Sequence, residues 1–286
     1  MEFLRRGRRL LGGCLAVEFR RGTIARYTER RAMSTRTAPL LSSPASLMRE
    51  ARSVSTRSLG FAMAAAPVPV LGGAVGTLGA LSGLLLFAAL LFAAERGLAA
   101  DHPHPRLGTA NRITLLRAGI ACLIAARAID PNPLGAPERW LLSAIAGGAL
   151  LLDAADGWAA RRQQMASVFG ARFDMEVDAF AILVLAATVA KAGAAPWWVL
   201  AIGAMRYLYF AAGRVFPLLR RAVPVRSFAD RRRKTIAVIQ SIALIIALVP
   251  ATLSSWAAGF CAVALGLLAY SFAADIVLLL STGARK

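Results

Sequence analysis

Residues 140–190 read WLLSAIAGGALLLDAADGWAARRQQMASVFGARFDMEVDAFAILVLAATVA. Apolar residues open and close this stretch, and its middle holds Asp153, Asp156, Asp174 and Asp178, four of the eight Asp in the chain. The runs Trp140–Gly157 and Asp174–Ala190 are each near the roughly 20 residues that cross hydrocarbon as a helix. Spacings of three and four put each Asp pair on one helix face. The loop between the runs brings the two helix ends together on one side of the membrane. Ionised carboxylates at such a depth are costly unless paired or bound to cations. Pairing with arginines across the loop would not require this spacing. Four converging hard oxygen ligands suit Mg²⁺ or Mn²⁺, and two ions fit better than one.

The surrounding chain has the composition such helices need. Apolar residues make up 58% of 286 and mean hydropathy is +0.60, against roughly 45–50% apolar for soluble domains. This excludes an ordinary soluble enzyme, a disordered chain and a collagen-like repeat, and predicts an all-α integral membrane protein. Seven spans are predicted: 71–94, 113–129, 140–157, 174–190, 197–213, 235–250 and 256–280. No internal repeat of the inverted-repeat transporter kind is present. The three cysteines, Cys14, Cys122 and Cys261, have neither metal nor disulfide spacing and read as small apolar fillers.

Basic residues set the orientation. The net charge is +19, from 34 basic and 15 acidic residues. Arg161, Arg162 and Arg172 share one predicted loop, Arg214 to Lys234 lie in or beside another, and Arg106 and Arg112 precede the second span. With six spans after residue 110 these all face the cytoplasm, leaving Arg127, Arg139 and Lys191 opposite. Residues 1–62 break the pattern, with 13 Arg and 4 Glu in one fifth of the chain. If 71–94 crosses once, they sit on the wrong side. They read as a non-native or disordered extension, either a transit-peptide-like leader or an upstream start, with Met63 as the functional start. The predicted organisation is therefore 1–62 as extension, 63–100 as an extra N-terminal transmembrane helix, and 101–286 as the main membrane domain.

Asp153-Ala-Ala-Asp156-Gly157-Trp-Ala-Ala160-Arg161, eight residues, Gly170, three, Asp174, three, Asp178 matches all eight fixed positions of the CDP-alcohol phosphotransferase signature. The resemblance covers residues 110 to about 280. Upstream, Asn111-Arg-Ile-Thr114-Leu-Leu-Arg117 resembles the short motif that opens the family's first helix. It implies a six-helix core, here preceded by one extra span, and a homodimer. It implies that Asp153, Asp156 and Asp174 hold two divalent metals, Mg²⁺ or Mn²⁺, with Asp178 completing the site and acting as general base. Gly157, Arg161, Ser167 and Gly170 would bind the CDP moiety, and Asn111 to Thr114 would close over it. The family's donor is CDP-diacylglycerol, and a small alcohol accepts the phosphatidyl group with release of CMP.

Glycerol 3-phosphate is the expected acceptor, because Arg206, Arg214, Arg220 and Arg221 offer cations for a second phosphate. Inositol phosphate satisfies the same argument; serine and choline do not need those arginines. A variant using CDP-ethanolamine or CDP-choline with diacylglycerol shares the signature. The cluster Arg231–Lys234 reads chiefly as positive-inside charge, and His102 and His104 as interfacial loop residues. From a different class, a divalent-cation transporter would also place carboxylates in the membrane, but it has no use for Arg161 one turn beyond its ligands. No nucleic acid beyond the CDP group is expected. The predicted location is the bacterial inner membrane, with the active site facing the cytoplasm.

Overall fold

A computed structural model describes residues 44–65, 75–101, 108–163, 168–216 and 227–283. Among the described residues there is no strand. There are eight α-helices: α1 (Pro44–Ala65), α2 (Thr77–Asp101), α3 (Thr109–Ile129), α4 (Ala136–Gln163), α5 (Val168–Lys191), α6 (Leu200–Val215), α7 (Ser227–Leu248) and α8 (Ser254–Gly283), with a 3₁₀ turn at Trp197–Val199. Each predicted apolar run overlaps one of α2 to α8, although residues 71–74 of the first lie outside the described residues. Most of these helices are longer than their runs, because charge ends an apolar window without ending a helix. Breaks fall where the backbone dictates. Asp130 leaves helical geometry before Pro131, and Gly193 takes a φ of 66° after the last turn of α5.

By length and composition, 77–98 and 254–280 are apolar enough to cross a membrane, each with mean hydropathy 2.2. The other runs are interrupted. Arg112, Arg117 and Arg127 lie on α3, Arg172, Asp174, Glu176 and Asp178 on α5, and Arg231–Lys234 near the start of α7, while α6 has only 16 residues. Those interruptions are the residues of interest below.

The described chain divides into two compact units, one of residues 44–203 and 239–265, the other of residues 204–238 and 266–283. In the larger unit α2, α4 and α5 all pack on α3. Its inward face is built of small side chains, with Ala118, Ala121, Cys122, Ala125 and Ala126 at 5% exposure or less. Small residues let helices approach closely. A Cβ on Gly79 of α2 would lie 2.6 Å from the Ala126 carbonyl oxygen, and one on Gly83 would lie 2.7 Å from the Ala126 Cβ. Cys122 and Cys261 are buried free thiols, packed as small apolar groups; Cys14 lies outside the described residues.

Of residues 1–62, where an extension is expected, those from Pro44 onward are described. From Pro44 onward they form α1, which packs on α2. Ala51 is 2% exposed in a cluster with Leu98 and Phe169, and Glu50 pairs with Arg112 at 2.7 Å. The predicted boundary at residue 62 falls inside this helix. No long apolar run marks it: α1 is rich in Ser and Arg, and among its described residues Ala51, Val54, Leu59 and Ala62 pack inward.

In the smaller unit the start of α7 is tied to α8. Arg232 Nη2 donates to Asp275 at 2.6 Å and Arg233 Nε donates to the other oxygen at 3.0 Å. Asp275 is buried at 6% exposure, so two of the four residues in the cluster Arg231–Lys234 answer a buried carboxylate rather than only the orientation rule.

Candidate metal and substrate centre

Three of the four signature carboxylates come together. Asp153 of α4 and Asp174 and Asp178 of α5 offer oxygens that all lie within 4.8 Å of one another. The spacing of four places Asp174 and Asp178 one turn apart on α5, and α4 contributes Asp153 from its adjoining end. All three are part-buried, with side-chain exposures of 28%, 39% and 34%. Asp156, Gly157 and Arg161 lie on α4, but their side chains are outside the described set, and Ser167, His102 and His104 lie outside the described residues.

The cluster has a cationic centre that the sequence reading did not single out. Arg117 of α3 is 8% exposed and reaches all three carboxylates. Its Nη1 lies 2.7 Å from Asp153 Oδ1 and donates to Asp174 Oδ1 at 2.9 Å, and its Nη2 donates to Asp178 Oδ1. The signal was available: a single Arg amid Leu115, Leu116, Ala118, Gly119 and Ile120 needs a partner at membrane depth. The planar guanidinium suits the task, because its donors spread in a fixed fork. One guanidinium thus faces three carboxylates from two helices.

Asn111 and Thr114 precede Arg117 on α3 at intervals of three. Both are buried, at 8% and 3% exposure. The Thr114 hydroxyl donates to the Ala110 carbonyl at 3.1 Å. Asn111 lines a small cavity with Leu98, Leu115, Phe169 and Phe173, and Gly170 follows Phe169 on α5, half-buried. Arg206 and Arg214 belong to the smaller unit. Arg206 is half-buried with its guanidinium 5.0 Å from the Phe210 ring centre, and Arg214 is exposed.

A family model described as CDP-alcohol phosphatidyltransferase matches residues 107–269. That interval opens just before α3 and contains the carboxylates, Arg117 and both acceptor-site candidates. The chain belongs to the CDP-alcohol phosphatidyltransferase family. It is a transferase of substituted phosphate groups, moving a phosphatidyl group from a CDP-alcohol to an acceptor. No curated protein and no solved structure matches the chain. The family uses a divalent metal, and the donor set fits one, since carboxylate oxygens from two helices within 4.8 Å of one another are the hard ligands such ions take.

Proposed function

We propose that this protein transfers the phosphatidyl group of CDP-diacylglycerol to a phosphate-bearing small alcohol, glycerol 3-phosphate first among them, and releases CMP. The observation that carries this reading is the convergence of Asp153, Asp174 and Asp178 within one ligand sphere. Asp153, Asp156, Asp174 and Asp178 would hold two Mg²⁺ or Mn²⁺ ions. When bound, such ions neutralise charge developing on the transferred phosphoryl group and on departing CMP. Gly157, Arg161, Ser167 and Gly170, with Asn111 and Thr114, orient the CDP moiety. Asp178 takes the proton of the acceptor hydroxyl as it attacks the β-phosphorus.

α2 serves as an extra span before a six-helix core of α3 to α8, and α1 packs with it. Large apolar side chains that face outward support a bilayer setting: Leu81 and Leu85 on α2, and Trp256 and Val263 on α8, are at least 59% exposed. Trp140 and Trp197 are 53% and 80% exposed, as interfacial aromatics would be. We place the protein in the bacterial inner membrane as a homodimer, with its carboxylates toward the cytoplasm. The three basic residues left on the far side are consumed internally. Arg127 binds Glu138, Lys191 binds the Arg127 and Asp130 carbonyls, and Arg139 donates to the Leu248 carbonyl at 3.0 Å.

The acceptor rests on Arg206 and Arg214, two turns apart on α6. Purified protein assayed with labelled CDP-diacylglycerol against glycerol 3-phosphate, inositol phosphate, serine and choline identifies the acceptor by CMP release. Arg206→Ala or Arg214→Ala raises the acceptor KM far more than the donor KM if the acceptor carries a phosphate. A neutral or zwitterionic preferred acceptor overturns that part of the reading.

A further inference from the structure

We propose that Arg117 is a built-in counter-cation that holds the carboxylate oxygens a divalent ion would take, and that it must leave them when such an ion enters. The inference rests on the reading of the carboxylates as metal ligands and goes beyond it. Arg117 Nη1 is held at 2.7 and 2.9 Å by oxygens from two different helices, and Nη2 takes the third carboxylate. A divalent ion taking these oxygens would compete with the guanidinium for them. Two cations that close repel strongly in a part-buried site. The cluster therefore holds the arginine or the metal on those oxygens, not both.

The arrangement has a use before any metal arrives. Three carboxylates gathered at membrane depth repel one another and lose hydration. A guanidinium fork satisfies three acceptors at once, which the point charge of a Lys does less well. Arg117 sits on α3, against which both α4 and α5 pack, so it joins the ligands from both helices to their common partner. The aspartates are 28–39% exposed, whereas Arg117 is 8% exposed. The carboxylates thus remain open to an entering ion while the arginine fills the inner side. Arg117 is a positioning residue in this account.

The test compares full-length wild type, Arg117→Met and Arg117→Lys in detergent, with Mn²⁺ alone as the probe. Arg117→Met binds Mn²⁺ at least about tenfold more tightly than wild type, a change of about 1.4 kcal/mol. Its metal-free melting temperature falls and Mn²⁺ restores it. Arg117→Lys keeps a charge without the fork and lies between the two. Equal or weaker Mn²⁺ binding by Arg117→Met overturns the proposal and makes Arg117 a plain support of the ligand set. A second measurement does not depend on a variant folding. In wild type, phenylglyoxal labelling of Arg117, read by peptide mass spectrometry, rises when Mn²⁺ is added. Unchanged or reduced labelling overturns the exchange. Failure of wild type to bind Mn²⁺ in a manner lost in Asp153→Asn would instead strike the metal reading itself.

Discussion

Two charged clusters are anchored on α3 ten residues apart, and they solve the burial of charge in opposite ways. Toward the end of the helix, Arg127, Asp130, Glu138 and Lys191 carry two charges of each sign, and their hydrogen bonds close on one another and on the backbone. Arg127 donates to both Glu138 oxygens and to the Asn132 and Pro133 carbonyls. Asp130, with no exposed side-chain surface, accepts from the Asn132 and Gly76 backbone N–H groups. One helix turn from the start of α3's apolar run, Arg117 faces three carboxylates that compete for it. A balanced, saturated cluster is a structural tie. A cluster of three carboxylates that share one guanidinium and keep an exposed side is a place for a cation. Counting charge against partners separates the two where residue type alone does not.

The comparison breaks most sharply at Asp178. Asp178→Asn keeps size and hydrogen bonding but removes the basic oxygen, and it should lower kcat for CMP release by roughly 10²–10⁴-fold, the scale of a positioned proton acceptor. Donor binding in Mn²⁺ should survive. Full activity would remove Asp178 from the chemistry. At the other cluster the effect should fall on stability instead. Asp130→Ala leaves the Asn132 and Gly76 backbone N–H groups without their acceptor and removes the ion pair with Arg127, and it should cost about 3–5 kcal/mol, read by chemical unfolding in detergent. Mn²⁺ affinity of the protein that remains folded should not change; if it does, the two clusters are not independent.

A smaller effect follows from Glu138. Hydrogen bonds from Arg127 hold its carboxyl below the usual range, against the opposing effect of burial. A depressed carboxylate contributes stability that is present above its unfolded value, about 4.3, and is lost as pH falls through the folded value. Wild type should therefore lose melting temperature below about pH 4 more steeply than Glu138→Gln. Parallel curves would show that the tie does not depend on this charge.

Much of the site was legible because the chemistry demands a local pattern. Asp153, Asp174 and Asp178 stand out as carboxylates in apolar helices, and spacings of three and four fix their faces. The partner was harder to see. Arg117 lies 36 residues before Asp153 and was read only as the last residue of a motif; that it meets Asp153 and Asp178 depends on how α3 packs between α4 and α5. The knot at Arg127, Asp130, Glu138 and Lys191 was hidden in the same way, since Lys191 is 64 residues from the carbonyl it binds. For the fold, apolar runs located α2 to α8, whereas α1 had no such run, and its helix rests on a narrow Ala-Val-Leu-Ala face. What is written in one stretch of sequence was read; what is made by two helices meeting was not.

The proposed role of the carboxylates around Arg117 is to hold the divalent metal on which CDP-dependent transfer by this chain depends. The most direct measurement is CMP release by the purified protein, stripped with a chelator, supplied with CDP-diacylglycerol and the acceptor panel, and titrated with Mn²⁺ or Mg²⁺. The account predicts no release in the chelated state and full recovery on titration, with one phospholipid product formed per CMP. Asp156→Asn should need more metal to recover. CMP release that ignores the chelator, or Mn²⁺ uptake into proteoliposomes with no CMP release at any metal concentration, would contradict it.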